Sequence, residues 1–215
     1  MTNPRQLPLF DAIGDPAPGD ESRVVPLDLP DADIDWYPSF FSPADRARLY
    51  DEVLATTAWE QASVRMYGNE TPIPRLQAWY GDEGKSYAYS GIEMQARAWT
   101  PALREIEQRL QGALDHPFNS VLANLYRDGS DSVSWHADDE SELGPEPVIA
   151  SVSLGATRTF QLRHNEDPEV RHSLELRAGS LLVMKGPTQH RWRHQLIKTT
   201  RRVGPRLNLT FRTIV

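Results

Sequence analysis

The chain has 215 residues, 39% of them hydrophobic, with no cysteine and a formal net charge of −7. That length is room for one full core with extensions, while the modest apolar share implies that part of the chain is an unpacked tail. Absent cysteine excludes a disulfide framework and any thiolate metal site, leaving His and carboxylate as the ligands on offer. No long apolar run predicts a transmembrane helix, and the N-terminus lacks a basic-then-apolar signal. A soluble, cytoplasmic, membrane-free monomer is the expectation. The net charge hides a division: residues 1–60 hold twelve acidic and four basic residues, whereas residues 156–215 hold four acidic and twelve basic. Segregated charge creates local potentials that the total conceals.

Residues 1–25 are rich in Pro, Gly and Asp without periodicity, which predicts disorder. Within them, Gln6-Leu7-Pro8-Leu9-Phe10 is an apolar cluster that a flexible tail cannot bury, and so a candidate ligand for another protein's groove. It resembles the short peptide by which bacterial proteins dock on the replication sliding clamp. Ser42-Pro43 and Thr100-Pro101 each read as a helix start, with a capping hydroxyl and Pro in the first turn. Leu103, Ile106, Leu110 and Leu114 then form one apolar stripe. Both helices are expected to be scaffold packed on a sheet.

Between them, residues 62–69 and 75–82 are short strand-like runs ending in Tyr-Gly turn signals, followed by Lys85-Ser-Tyr-Ala-Tyr-Ser-Gly. Met66, Tyr67, Tyr87 and Tyr89 offer the soft or aromatic faces that base stacking or duplex wedging requires, whereas Trp79 is expected in the core. From residue 118 onward eight short strands are predicted, at 118–126, 132–138, 148–154, 158–163, 171–176, 179–184, 190–196 and 206–213. Such a series indicates a sandwich or barrel, and eight is the jelly-roll number.

His136 and Asp138 stand two apart on one such strand and so leave the same face. An imidazole and a carboxylate together are two-thirds of a 2-His-1-carboxylate facial triad, which suits Fe(II) and leaves positions open. His190 and His194 share a parity in 190–196, and either could complete it. His164 and His172, near strand ends, are expected to face solvent, and His116 is given no role. In 206–212 the even positions Arg206, Asn208, Thr210 and Arg212 are polar and the odd ones apolar. Two Arg on a buried-looking face need an anion, and a dicarboxylate fits their paired, charge-assisted bonding. Asn124 and Tyr126 share one face of the strand leading to His136.

Asn124-x-Tyr126, His136-x-Asp138, a distant His194 and Arg206-x-Asn208-x-Thr210-Phe211-Arg212 together resemble the AlkB family of Fe(II)- and 2-oxoglutarate-dependent dioxygenases, over roughly residues 60–215. The resemblance implies that His194, in Trp-x-His-x-Leu, is the third iron ligand. It also implies that Asn124, Tyr126, Arg206, Asn208, Thr210 and Arg212 contact 2-oxoglutarate, with Arg206 and Arg212 on its far carboxylate. The fold implied is mainly β (α+β): a double-stranded β-helix, or jelly roll, with flanking helices and an N-terminal nucleotide-recognition lid. Residues 1–25 would be tail, 26–117 extension and lid, and 118–215 the catalytic core, with 26–215 one compact unit.

Within the family the chain looks most like the duplex-DNA repair branch. Met66-Tyr67-Gly68 followed by Pro74-Arg75 and Tyr80-Gly81-Asp82 sits where that branch has its wedging hairpin, although Tyr67 replaces a smaller Phe. Tyr87 and Tyr89 sit where the flipped base is held, and Asp139 and Glu140 where acids face the lesion. The implied activity is oxidative demethylation of bases such as 1-methyladenine and 3-methylcytosine, in duplex or single-stranded DNA on the bacterial nucleoid. It would consume Fe(II)-bound O2 and 2-oxoglutarate and release succinate, CO2 and formaldehyde. Rival expectations are the same chemistry on methylated RNA or a protein side chain, and a non-catalytic damage binder.

Overall fold

Ser42 and Thr100 cap helices, as their places before Pro43 and Pro101 predict. In the computed structural model, which describes residues 23–66, 69–84, 86–89 and 92–215, the helices are Pro43–Thr56 (α1) and Pro101–Leu114 (α2). Ser42 Oγ accepts from the Asp45 amide at 3.1 Å and Thr100 Oγ1 from that of Leu103 at 3.3 Å. Each bond satisfies one of the donors that a helix start leaves over. The stripe Leu103, Ile106 and Leu110 is fully buried.

Strands β1 (Val25–Pro26) and β2 (Asp33–Tyr37) precede α1. Between the helices come β3 (Ser63–Met66), β4 (Asn69–Pro72), β5 (Leu76–Gly81), β6 (Ser86–Tyr89) and β7 (Ile92–Gln95). After α2 follow β8 (Ser120–Tyr126), β9 (Val133–His136), β10 (Ile149–Gly155), β11 (Arg158–His164), β12 (Arg171–Leu176) and β13 (Ser180–Lys185). A one-turn helix α3 (Thr188–Arg191) leads into β14 (Trp192–Leu196), and β15 (Arg206–Arg212) is last. The major sheet has the order β1-β2-β13-β10-β15-β8-β5 and the minor sheet β12-β11-β14-β9, while β3-β4 and β6-β7 form separate hairpins.

The result is three layers. One face of the major sheet presents Val121, Ala123, Val152, Leu207, Leu209 and Phe211 to Leu49, Val53, Leu103 and Ile106 of the helices. The opposite face packs Leu122, Ile149, Leu182 and Met184 against Phe160, Leu162, Leu174 and Trp192 of the minor sheet. With both faces covered, β8 is buried at every position, which explains its run of apolar residues where a one-faced strand would alternate. The double-stranded β-helix is therefore present, and all eight strands expected after residue 118 form. Gly155 closes β10 in the left-handed region at φ 81°; a Cβ there would lie 2.5 Å from the Pro205 carbonyl oxygen. Only Gly lets the start of β15 approach that closely.

Three expectations need correcting. His190 lies in α3, because the chain turns through Gly186-Pro187 before extending, so it shares no strand face with His194. His164 and His172 are buried, at 6% and 5% exposure. They share the inward parity of Phe160 and Leu162 on β11 and of Leu174 and Leu176 on β12. Residue 118 is no boundary in the sheet, since β2 pairs with β13 and β5 with β8. Trp79 is core, as expected. Among the described residues, no helix is long and apolar enough to cross a membrane.

Candidate active site

β9 and β14 pair with His136 opposite His194, so the two imidazoles leave one face as cross-strand neighbours. Their ring centroids are 4.2 Å apart, and Phe160 stacks on His194 at 5.3 Å. Asp138 follows where the chain leaves β9, and potential ligand atoms of His136, Asp138 and His194 all lie within 4.8 Å of one another. His136 Nδ1 is 2.8 Å from the Ser134 carbonyl oxygen, to which it donates. That bond fixes the tautomer and leaves Nε2 for a metal. The Asp138 amide donates to Gln189 Oε1 at 2.9 Å, tying the ligand's backbone to α3.

Electrostatics prepare this trio for a cation. Burial depresses His194 to about 3, helped by neighbouring His136, and burial likewise lowers His136. For Asp138 burial acts upward, but Arg212 and the two imidazoles overcome it and hold the carboxyl at about 2. At neutral pH the site is thus two neutral imidazoles and one carboxylate, the protonation state that ligation requires. Asp138 Oδ2 pairs with Arg212 Nη2 at 3.0 Å, while Oδ1 has no protein hydrogen-bond partner.

β15 carries the rest of the cavity. It pairs with β8 so that Arg206 faces Tyr126 and Asn208 faces Asn124, and with β10 so that Asn208 faces Ser153. These even positions point between the sheets and line one cavity with His136, Asp138, His194, Thr210 and Arg212. Arg206 is 1% exposed. Its Nη2 donates to Ser153 Oγ at 2.9 Å and its guanidinium lies 5.4 Å from the Tyr126 ring centroid, but Nε and Nη1 have no protein partner. Burial lowers it to about 10, so it stays charged at neutral pH. A buried cation with two spare N–H groups is a receptor for a carboxylate. Asn208 Nδ2 donates to Ser151 Oγ at 2.8 Å, which orients its amide.

Arg206 and Arg212 do not share one carboxylate, contrary to expectation. They stand six residues apart on one strand, about 20 Å at the usual rise, and Arg212 is engaged with Asp138. Arg206 would serve as the deep anion receptor, whereas Arg212 is the counter-ion of Asp138. Arg75 also departs from its assignment to a wedging hairpin. It is 5% exposed in the same cavity, with Nε donating to Asn124 Oδ1 at 2.8 Å. Residue-level reading missed Ser151, Ser153 and Gln189 as well. The two serines could have been found, because Ser151-x-Ser153 has the same strand parity as the β15 residues; nothing local marks Gln189.

Asp139 is exposed and Glu140 half-buried on the segment after Asp138. Met66 ends β3, and Tyr87 and Tyr89 belong to β6, whose backbone pairs Tyr87 with Met94 and Tyr89 with Ile92. Tyr67 and Gly68, and Gln6, Leu7, Leu9 and Phe10 of the tail, lie outside the described residues.

Residues 33–212 match the model of the 2OG-Fe(II) oxygenase superfamily. The chain belongs to this superfamily. As a 2OG-Fe(II) oxygenase it fits its cofactors: His136, Asp138 and His194 would hold Fe(II), and Arg206 would receive the remote carboxylate of 2-oxoglutarate. It is 41% identical over 187 residues to the alpha-ketoglutarate-dependent dioxygenase alkB homolog 3 of Mus musculus, covering 83% of this chain and 65% of that protein. It is 38% identical over 189 residues to the DNA oxidative demethylase ALKBH2 of Homo sapiens, covering 83% of this chain and 72% of that one. The chain therefore spans 65% of the length of the first of these relatives. The solved structure of OsALKBH1 superposes with a TM-score of 0.62 at 16% identity, over 84% of this oxygenase and 97% of that chain, a likeness of fold.

Proposed function

We propose that the protein removes N-alkyl groups oxidatively from damaged bases of DNA, 1-methyladenine and 3-methylcytosine being the expected lesions. The observation that carries the reading is a 2-His-1-carboxylate trio and a buried, half-partnered guanidinium in one cavity, in a chain 38% identical to a DNA oxidative demethylase. When bound, Fe(II) with 2-oxoglutarate and O2 supplies the oxidant for hydroxylating an N-alkyl carbon, after which the product breaks down to formaldehyde and the free base. The residues of the chain do the positioning. Arg206 anchors the co-substrate, Ser134 and Gln189 orient two ligands, and Arg212 keeps Asp138 ionised. Asp139 and Glu140 stand just past Asp138, where their charge favours a cationic methylated base over its neutral parent. An N-methylated pairing edge also lowers the cost of flipping the base out.

The test is formaldehyde release from an oligonucleotide bearing one 1-methyladenine, with Fe(II), ascorbate and 2-oxoglutarate, compared single-stranded and duplexed. Release that disappears in His136→Ala supports the reading. Succinate without formaldehyde would redirect it to methylated RNA or a protein side chain, and neither product would remove it. Tyr67 is proposed as a duplex wedge, so Tyr67→Ala should lower turnover on duplex and spare single strands. The tail peptide Gln6-Leu7-Pro8-Leu9-Phe10 is proposed to tether the enzyme to a bacterial sliding clamp. A synthetic peptide of residues 1–15 should bind the clamp and lose binding on replacing Leu9 and Phe10 by Ala.

A further inference from the structure

The outer face of the minor sheet carries a row of arginines that the cavity chemistry does not use. β11 pairs Arg163 with Arg171 of β12 on one side and with Arg193 of β14 on the other. Residues directly opposite in antiparallel strands share a face, and like charges placed so repel. Three guanidinium groups are thus set across two strand spacings, about 10 Å. Arg171 and Arg193 are exposed and Arg163 half-buried. Six other surface arginines, Arg48, Arg97, Arg104, Arg109, Arg127 and Arg191, each contact a carboxylate, whereas exposed Arg201 and Arg202 do not. No carboxylate among the described residues pairs with Arg163, Arg171 or Arg193.

The row is joined to the mouth of the cavity. The Arg163 guanidinium reaches across β14 to lie 4.5 Å from the ring centroid of Trp135 on β9, the edge strand of the sheet. Trp135 and Arg193 directly precede His136 and His194, and strand neighbours point to opposite faces. The aromatic ring and the arginines therefore sit on the back of the two strands that carry the imidazoles. Asp138 to Glu140 leave β9 at the same edge. A chain of anions whose one base enters the cavity can round that edge and meet Trp135, Arg163 and Arg193 in turn. Uncompensated, directly opposed positive charge costs folding stability, and a polyanion repays it by releasing its counterions.

We propose that this face is a dock for the phosphodiester backbone of the nucleic acid, holding the strand beside the lesion against the edge of the minor sheet. It rests on the nucleic-acid reading above and says which surface carries the phosphates. The test compares the wild-type enzyme, loaded with Fe(II) and 2-oxoglutarate under nitrogen, with a double Arg163→Gln, Arg193→Gln variant. Fluorescence anisotropy over a range of salt concentrations follows an unmodified 20-nucleotide single strand, which needs no catalysis. At about 0.7 counterions per phosphate contact, losing two contacts should reduce the slope of log affinity against log salt by about 1.4. Affinity at low salt should fall at least about tenfold. Formaldehyde release from a methylated trinucleotide, too short to reach the face, should be unchanged. Arg48→Gln, on the helical side of the molecule, should leave the slope intact. Arg193→Gln alone should raise Tm, because it relieves repulsion. An unchanged slope in the double variant overturns the dock and leaves the proposed activity standing. A reduced slope in a protein that demethylates nothing overturns the activity and leaves the dock standing.

Discussion

Replacing Arg206 by Met should stabilise the protein without ligand and abolish its response to 2-oxoglutarate, two effects of opposite sign from one side chain. In the ligand-free chain the Arg206 Nε and Nη1 are buried without a protein partner, and only Nη2 is bonded, to Ser153. Leaving a buried donor unmade costs about 1–3 kcal/mol, against about 1 kcal/mol gained from an ordinary hydrogen bond. An unbranched side chain of similar volume removes both orphans and loses that one bond. With two orphans removed and one bond lost, the ligand-free variant should therefore gain about 1–5 kcal/mol, which at this size is a Tm rise of at least a few degrees. The co-substrate loses the buried guanidinium proposed to receive it. Deleting one member of a desolvated ion pair costs about 3–5 kcal/mol, or roughly two to three and a half powers of ten in affinity. Melting curves of metal-loaded protein with and without 2-oxoglutarate measure both, and the KM for 2-oxoglutarate in succinate formation checks the second. A ligand-free variant less stable than wild type, or one with the wild-type thermal shift on adding 2-oxoglutarate, would refute the reasoning.

Other consequences follow from the same contacts. Arg212→Leu leaves the Asp138 carboxylate buried without its counter-ion; chemical denaturation should show a loss of about 3–5 kcal/mol, and iron should bind more weakly at mildly acidic pH. The metal-free protein should lose stability as pH falls. His194 is held at about 3 against an ordinary 6.5, and Asp138 at about 2 against 3.8. Between 6.5 and 3 the unfolded chain takes up a proton that the folded chain refuses, and Asp138 adds to the loss below 3.8. A Tm in EDTA that stays flat from pH 7 to pH 4.5 would contradict that sign. Gln189→Leu removes the acceptor of the Asp138 amide and should weaken iron binding, read by titration, while leaving the fold intact by circular dichroism. Leu110→Ala, in the helical layer at 0% exposure, should cost about 2–5 kcal/mol without changing the KM for 2-oxoglutarate.

What could be read directly from the chain was whatever a short period or a fixed spacing encodes. The alternation of Arg206, Asn208, Thr210 and Arg212 with Leu207, Leu209 and Phe211 named both faces of β15, and His136-x-Asp138 named two members of the clustered trio. The capping residues Ser42 and Thr100 marked both long helices. What could not be read depends on which strand lies beside which. The ion pair of Arg212 with Asp138 joins residues that share no periodic relation, and the β15 pattern alone treats Arg206 and Arg212 as equals. Arg75 was assigned to the hairpin through the family resemblance alone, yet it leads into β5, which runs beside β8 and brings it to Asn124. His164 and His172 were misplaced because a polar residue near a strand end was weighed above its parity. His190 was misplaced because Gly186-Pro187 was not credited with bending the chain into a helical turn.

β15 follows every other strand of the major and minor sheets in the chain, yet it lies inside the major sheet, between β10 and β8. A ribosome must therefore deliver the chain through Arg212 before the sheet can close. Until then β8 and β10 each expose an unpaired edge, the kind of surface that recruits other chains. The nascent protein would be a natural client for chaperones. The same delay has a protective side: His136, Asp138 and His194 all precede β15 in the chain, but Arg206, the receptor proposed for the co-substrate, lies on it. A chain released early could hold metal in a half-built sheet and still lack the receptor for the fuel of its oxidation.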